Sequence, residues 1–187
     1  LAQYYMECGQ LSKAEFFVIQ ATQIDPTSAK DIYLLGVIRE AKGKEEEAVA
    51  LYNRAMQLSP TYWPPYLALG AIHEKRGRIA EAEAKYTAGL RVAPQEGELL
   101  YALGMLHARQ GRLWLAIHYL AKAYEIKPDL PFLKNNLYLA LSQAAQLSAN
   151  QRNRLWRELE RMTSPAETRH MKMILDLMGP PTRQNGR

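Results

Sequence analysis

The sequence predicts an all-α protein, an α-solenoid made of successive antiparallel helix hairpins, and three observations predict it. Pro26, Pro60, Pro94 and Pro128 recur every 34 residues. Gly9, Gly43, Gly77 and Gly111 keep the same interval, as do Ala14, Ala48, Ala82 and Ala116, and Leu1, Leu35, Leu69, Leu103 and Leu137. Between these markers the apolar residues fall at helical spacing. A fixed period of this length marks stacked supersecondary units, each too small to bury its own apolar face.

Each unit reads as two helices. In the unit 27–60, Ile32, Leu35, Gly36 and Arg39 fall at helical spacing in a first helix, and Gly43 breaks the pattern. Ala48, Leu51, Tyr52, Ala55 and Leu58 then follow at i, i+3, i+4, i+7 and i+10, and Pro60 ends the second helix. Gly43 and its equivalents suit a left-handed turn, which costs nothing without a Cβ. Thr27, Ser28 and Thr61 offer capping oxygens for the next start. Gly36, Gly70 and Gly104 fall inside first helices, where glycine costs up to ~1 kcal/mol against alanine. Repeating that cost implies that two backbones approach closely there.

In chain order, the first unit occupies 1–26. Its Leu1-Ala2 aligns with Leu35-Gly36, so it starts mid-helix and further repeats are expected ahead of it. Full units follow at 27–60, 61–94 and 95–128. Leu133, Leu137, Leu141 and Ala144 predict a fifth first helix within 129–147, whose partner lacks both the turn glycine and the small crossing residue. Ser148 with Gln151, and Ser164-Pro165 with Glu167, read as capping boxes opening two helices over 148–178. Those helices suit the polar end that a repeat array requires. Gly179-Pro180-Pro181 stops the pattern, and the tail 179–187 is expected to be disordered.

These residues resemble the tetratricopeptide repeat family over 1–128. The pattern is carried by Ile32, Leu35-Gly36, Gly43, Ala48, Tyr52, Ala55 and Pro60. It recurs as Tyr66, Leu69-Gly70, His73, Gly77, Ala82, Tyr86 and Pro94, and again as Leu100, Leu103-Gly104, His107, Gly111, Ala116, Leu120, Ala123 and Pro128. Gly89 departs from it, standing where Ala55 and Ala123 do. The resemblance implies a right-handed superhelix whose first helices line a concave groove. The groove positions carried over are Tyr33, Val37, Glu40 and Ala41, then Leu67, Ala71, Glu74 and Lys75, then Tyr101, Met105, Ala108 and Arg109, with Asn135 and Leu139 continuing the row. The row lacks the Lys and Asn pairs with which chaperone-binding members grip a terminal carboxylate. It also lacks the Asn ladder of the sugar-transferase superhelix, because Leu34, Ala68 and Ala102 occupy those places. A Tyr-and-aliphatic groove suits an amphipathic helix or an extended apolar peptide.

Composition points the same way. Of 187 residues 48% are apolar and 23% charged, which is ordinary for a globular chain with a core. A single cysteine, Cys8, excludes an internal disulfide framework and a cysteine metal cage. His73, His107, His118 and His170 show no metal or triad spacing, and no Gly-rich phosphate loop occurs, so no enzyme activity, cofactor or metal is expected. The acidic residues mostly accompany Lys or Arg at helical spacing, as on a solvated helix face. Of the formal charge of +5, most falls beyond residue 148, where eight basic residues face four acidic ones. An Arg-rich solvated face explains that excess better than nucleic acid or an acidic membrane does, and the groove charge is mixed rather than basic. The expected partner is another protein or peptide, with self-association through repeat ends a further option. The alternatives are an appendage targeting an enzyme in a longer chain, or an RNA-binding helical repeat. The Gln-, Ala- and Arg-rich composition suggests a bacterial protein of envelope, pilus or secretion assembly. With no apolar run long enough to span a bilayer, cytoplasm and periplasm both remain open.

Overall fold

The computed structural model describes residues 1–148, 150, 151 and 157. Its elements are α1 (Ala2–Glu7), α2 (Leu11–Ile24), α3 (Ala29–Ala41), α4 (Glu45–Leu58), α5 (Pro64–Lys75), α6 (Ile79–Val92), α7 (Gly97–Arg109), α8 (Leu113–Ile126) and α9 (Leu133–Ala145). Among the described residues every regular element is a helix. The chain divides into two compact units, 1–95 with α1 to α6, and 96–187, whose described helices are α7 to α9.

The boundaries have local causes. Gly9, Gly43, Gly77 and Gly111 turn the chain with φ of 70°, 77°, 71° and 70°. The amide one residue beyond each closes back on the first helix, as Lys44 N–H does on the Arg39 carbonyl at 2.9 Å and Arg78 N–H on that of His73 at 2.9 Å. This is the i→i−5 bond of a glycine-terminated helix. Second helices stop at Asp25, Ser59, Ala93 and Lys127, each directly before a repeat proline, which disfavours helical geometry in the residue ahead of it. Ser28 caps α3 by accepting from the Asp31 amide at 3.3 Å. Two expected caps are not used. Thr27 instead donates its amide and hydroxyl to Asp25 Oδ1, at 2.9 and 2.7 Å. Thr61 lies ahead of α5, which opens on Pro64 with Trp63 at its N-cap, because proline's fixed φ and missing donor suit the first turn.

Inside each hairpin the mid-helix glycines make room for one side chain. A Cβ at Gly36 would lie 2.6 Å from the Tyr52 ring, and one at Gly70 would lie 2.2 Å from that of Tyr86. At Gly104 it would meet Leu120 Cγ at 2.7 Å. Tyr52 crosses over Gly36 and donates its hydroxyl to Glu40 Oε2, one turn further along α3, at 2.7 Å. Tyr86 crosses Gly70 and reaches Glu74 in the same way at 3.0 Å. Where Leu120 replaces the tyrosine, Ala108 replaces the glutamate, and in the first hairpin Val18 stands with Met6 and with Ala2 at the glycine's place. Tyrosine and glutamate occur together or not at all.

Neighbouring hairpins close over apolar clusters. Ala14, Val18 and Ile38 join α2 to α3, with Leu34 and Leu35 against them. Ala48, Tyr52, Leu69 and Ile72 join α4 to α5. In the second unit the expected fifth first helix forms as α9, with Leu133, Ala140 and Ala144 buried and α9 packed on α8. Tyr138 occupies the glycine place on α9 and is 74% exposed. Trp114, His118 and Ala121 on α8 are buried, whereas the matching Glu46, Ala50 and Asn53 on α4 are exposed. α8 therefore buries a wider face than α4 does, while Tyr124, Glu125 and Ile126 at its end stay exposed. Beyond α9, Ser148 and Gln151 exchange two bonds, Gln151 N–H to Ser148 Oγ at 3.3 Å and Ser148 N–H to Gln151 Oε1 at 2.9 Å. The two helices and the tail expected after them lie outside the described residues, as do His170 and the second capping box.

Two stability predictions follow from the crossing and the turn. Gly70→Ala should destabilise by about 1–3 kcal/mol through overpacking, despite alanine's better helix propensity. With Tyr86→Val, which reproduces the Ala2–Val18 pairing of the first hairpin, the same change should become neutral or favourable. A double-mutant cycle by urea denaturation reads this, and equal costs in the two backgrounds would show that the glycine is not there for the ring. At Gly77, where a Cβ would meet nothing within 4 Å, the cost of substitution is conformational alone. Gly77→Val should lose more than Gly77→Asn, by about 1 kcal/mol, in the same denaturation assay, since asparagine tolerates the left-handed region.

Candidate interaction surface

The positions implied to line a groove fall on first helices and divide between the two units. In the first unit they lie on α3 and α5. Tyr33 is half-buried, its ring 5.5 Å from that of Tyr52 and 5.7 Å edge-on from that of Tyr62. Burial pushes its phenol up to about 12, with the Tyr62 and Glu40 charges adding to the effect. Val37 packs on the Ala48–Tyr52–Leu69 cluster, and Leu67 is half-buried. Glu40 and Glu74 take the hydroxyls of Tyr52 and Tyr86, so each has a structural partner. Burial raises both phenols, that of Tyr86 to about 12. Ala71 is exposed, and the Lys75 side chain is 74% exposed.

In the second unit the row lies on α7 and α9. Tyr101 and Met105 are half-buried, and Arg109 is exposed. The Tyr101 hydroxyl accepts from Asn136 Nδ2 at 2.8 Å, which ties α7 to α9 and fixes the ring. Asn135 is exposed beside it, and Leu139, one turn further on, is 56% exposed.

Around the first-unit row the charges do more than solvate a face. Glu45, in the first turn of α4, accepts from Lys75 Nζ at 2.8 Å and from Arg76 at 2.7 Å, both at the end of α5. Glu46 adds a second contact to Arg76 at 2.5 Å. The Lys75 and Arg76 bonds hold the Glu45 carboxyl below the usual carboxylate range. One hairpin earlier, Glu15 on α2 pairs with Lys42 and, at 2.9 Å, with Arg39, which also reaches Glu47 at 3.3 Å. The Lys42 bond is the main cause of the lowered Glu15 carboxyl. Acid–base pairs at helical spacing were expected, and Lys44–Glu47 is one. The others link successive helices and hairpins. Sequence inspection missed these clasps because, apart from Arg39–Glu47, the partners sit 24 to 31 positions apart. It also missed the tyrosine–glutamate bonds, although the joint loss of Tyr and Glu in the 95–128 repeat is a visible sign of them.

Cys8 is an exposed thiol. His107 and His118 are buried on either side of Tyr119, with ring centroids 5.5 and 5.0 Å away. Among the described residues no three His, Cys, Asp or Glu side chains come together to hold a metal ion. Nor is any described helix long and apolar enough to cross a membrane.

Known proteins share this geometry. No curated protein matches the sequence. Among solved structures, one from the functional characterisation of Pseudomonas aeruginosa pilF superposes with a TM-score of 0.69 at 16% identity, over 96% of this chain and 73% of that one. The hetero-tetramer Cut9–Hcn1 of the APC/C gives 0.66 at 17%, over 95% of this chain, which spans only 32% of the other. A MamA structure gives 0.56 at 24%, over 68% and 70%. At these identities the likeness establishes the fold, an α-solenoid of helix hairpins. Tetratricopeptide repeat models match residues 32–62 and 67–131, between them about half of the chain. Proteins of this kind are scaffolds for protein–protein interaction and typically not enzymes. The recurring glycine turns, the glycine crossings and these matches together show that the chain belongs to the tetratricopeptide repeat family.

Proposed function

We propose that the rows on the first helices bind an amphipathic helix or an extended apolar peptide of a partner protein. The observation that carries this reading is that the aromatic members of the rows are already fixed while their aliphatic neighbours stay open. Tyr33 is wedged between Tyr52 and Tyr62, and Tyr101 is held by Asn136. Ala71 and Leu139 remain exposed to a ligand. A partner docking there immobilises few additional rotors, which lowers the entropy cost of binding. Lys75 and Arg109 give the rims a polar character suited to one amphipathic face. The composition supports a bacterial protein serving envelope, pilus or secretion assembly. The likeness to pilF adds the fold to that reading and nothing about its role.

Because Tyr33 and Tyr101 also hold the fold, substitutions there would confuse binding with folding. Ala71→Glu and Leu139→Glu place charge at exposed positions and should leave the circular dichroism unchanged. The double variant should retain at most about a tenth of the parent's affinity for any groove ligand. The measurement is affinity capture from host lysate read by mass spectrometry, with Gln57→Glu, at an exposed site on α4, as control. Proteins held by the parent and the control but lost from the double variant are the groove ligands. A captured set identical in all three would overturn the groove reading.

A further inference from the structure

A belt of aromatic rings crosses the first hairpin, ahead of the helices that carry the rows. Tyr4 lies edge-on to Tyr5 with centroids 5.5 Å apart, and Tyr5 stacks on Phe17 at 5.3 Å. Phe17 in turn meets Phe16 edge-on at 5.5 Å. The inner rings, Tyr5 and Phe17, are half-buried, while Tyr4 and Phe16 at the two ends are 61% and 58% exposed. The belt thus runs from α1 onto α2 and leaves an open ring at each end. Repeat packing does not account for it. Tyr4 stands where Ile38 and Ile72 are buried in later hairpins, and Phe16 where Ala50 and Ala84 stand. A contiguous exposed apolar patch marks a site of association.

The face is not built to receive another hairpin of this array. Cations clasp α3 and α5 to the hairpin before them, Arg39 and Lys42 on Glu15, then Lys75 and Arg76 on Glu45. In the first hairpin the matching places hold Tyr5, Cys8 and Glu7, with no cation among them. Nor would a preceding hairpin cover Phe16, since Ala50 and Ala84, each with a hairpin before it, stay exposed at that place. The flanking charges instead match a second copy of the same belt. Glu7 ends α1 one turn beyond Tyr4, and Lys13, in the first turn of α2, holds its ammonium 5.5 Å from the Tyr5 ring centroid. Both side chains are exposed. One acid and one base beside the rings make the patch complementary to itself, as an interface between identical subunits requires.

We propose that the belt is an interface between two copies of this chain related by a two-fold axis. Tyr4 and Phe16 of each copy bury against the other, and Glu7 of one meets Lys13 of the other. Every contact is then made twice, so a single substitution acts on both halves of the interface.

The test is sedimentation velocity of the full chain over a range of concentrations, in reductant so that the exposed Cys8 thiols form no bridge. The parent should pass from monomer to dimer as concentration rises. Tyr4→Glu changes an exposed site, so it should keep the parent's circular dichroism while raising the dissociation constant at least about tenfold. Glu7→Lys and Lys13→Glu should each weaken the pair, because both reciprocal contacts become repulsive. Mixing those two variants should restore it, since every contact between them joins opposite charges. A parent that stays monomeric would overturn the interface and leave the belt to a helix of another protein. A dimer indifferent to Tyr4→Glu would put the contact elsewhere on the molecule and reject the belt. Mixed variants that associate no better than either alone would rule out the two-fold pairing.

Discussion

The close crossing of two helices at a glycine is the constraint on which the rest of each hairpin depends. Gly36 and Gly70 give up helix propensity so that a tyrosine ring can lie across the first helix where a Cβ would otherwise stand. That position brings the phenol oxygen over the next turn, and a glutamate there accepts it. The ring then forms the floor against which the following hairpin closes, because Tyr52 belongs to the same cluster as Leu69 and Ile72 on α5. A single missing Cβ thus sets the hairpin angle, the fate of a polar hydroxyl and the start of the next interface. The second unit solves the same problem with Leu120 over Gly104, and without a hydroxyl to satisfy the acid is absent too.

Charge has a different duty. The Glu45 and Glu15 clasps are partly exposed, and such pairs are screened by solvent and weaken with salt. They add little to stability beside the apolar clusters. Their geometry is still informative, since each ties the end of a first helix to the second helix of the hairpin before it. A shifted register would separate Glu45 from Arg76 and Glu15 from Arg39, so the clasps favour one stacking register over its neighbours.

The fold was legible because its determinants are local and periodic. A glycine that must turn left-handed, a proline that must end a helix and an alanine at zero exposure each recur at one spacing, so three weak signals reinforce one another. The candidate surface was less legible. Sequence position gave Tyr33 and Tyr101 as surface aromatics, but whether a ring at that place lies open depends on Tyr62 and Asn136, which belong to the next turn or the next hairpin. The capping role given to Thr61 failed for a similar reason, since Pro64 and Pro65 begin α5 further along.

Sorting the row by structural duty narrows where recognition can be encoded. Glu40 and Glu74 are bound by tyrosines, Val37 belongs to a core cluster, and Tyr33 and Tyr101 are fixed by neighbours. Changing any of these alters the hairpin before it alters a ligand. Ala71, Asn135 and Leu139 are exposed and have no such duty in the geometry described. Repeat scaffolds share their framework residues because the framework has one packing solution, whereas partners differ. If the rows bind a partner as proposed, specificity is written at positions the framework leaves free. In the first unit that leaves the exposed Ala71, and in the second an exposed Leu139 on the same helix as the Asn135 amide. The two units offer different chemistry, so a ligand that suits one row need not suit the other.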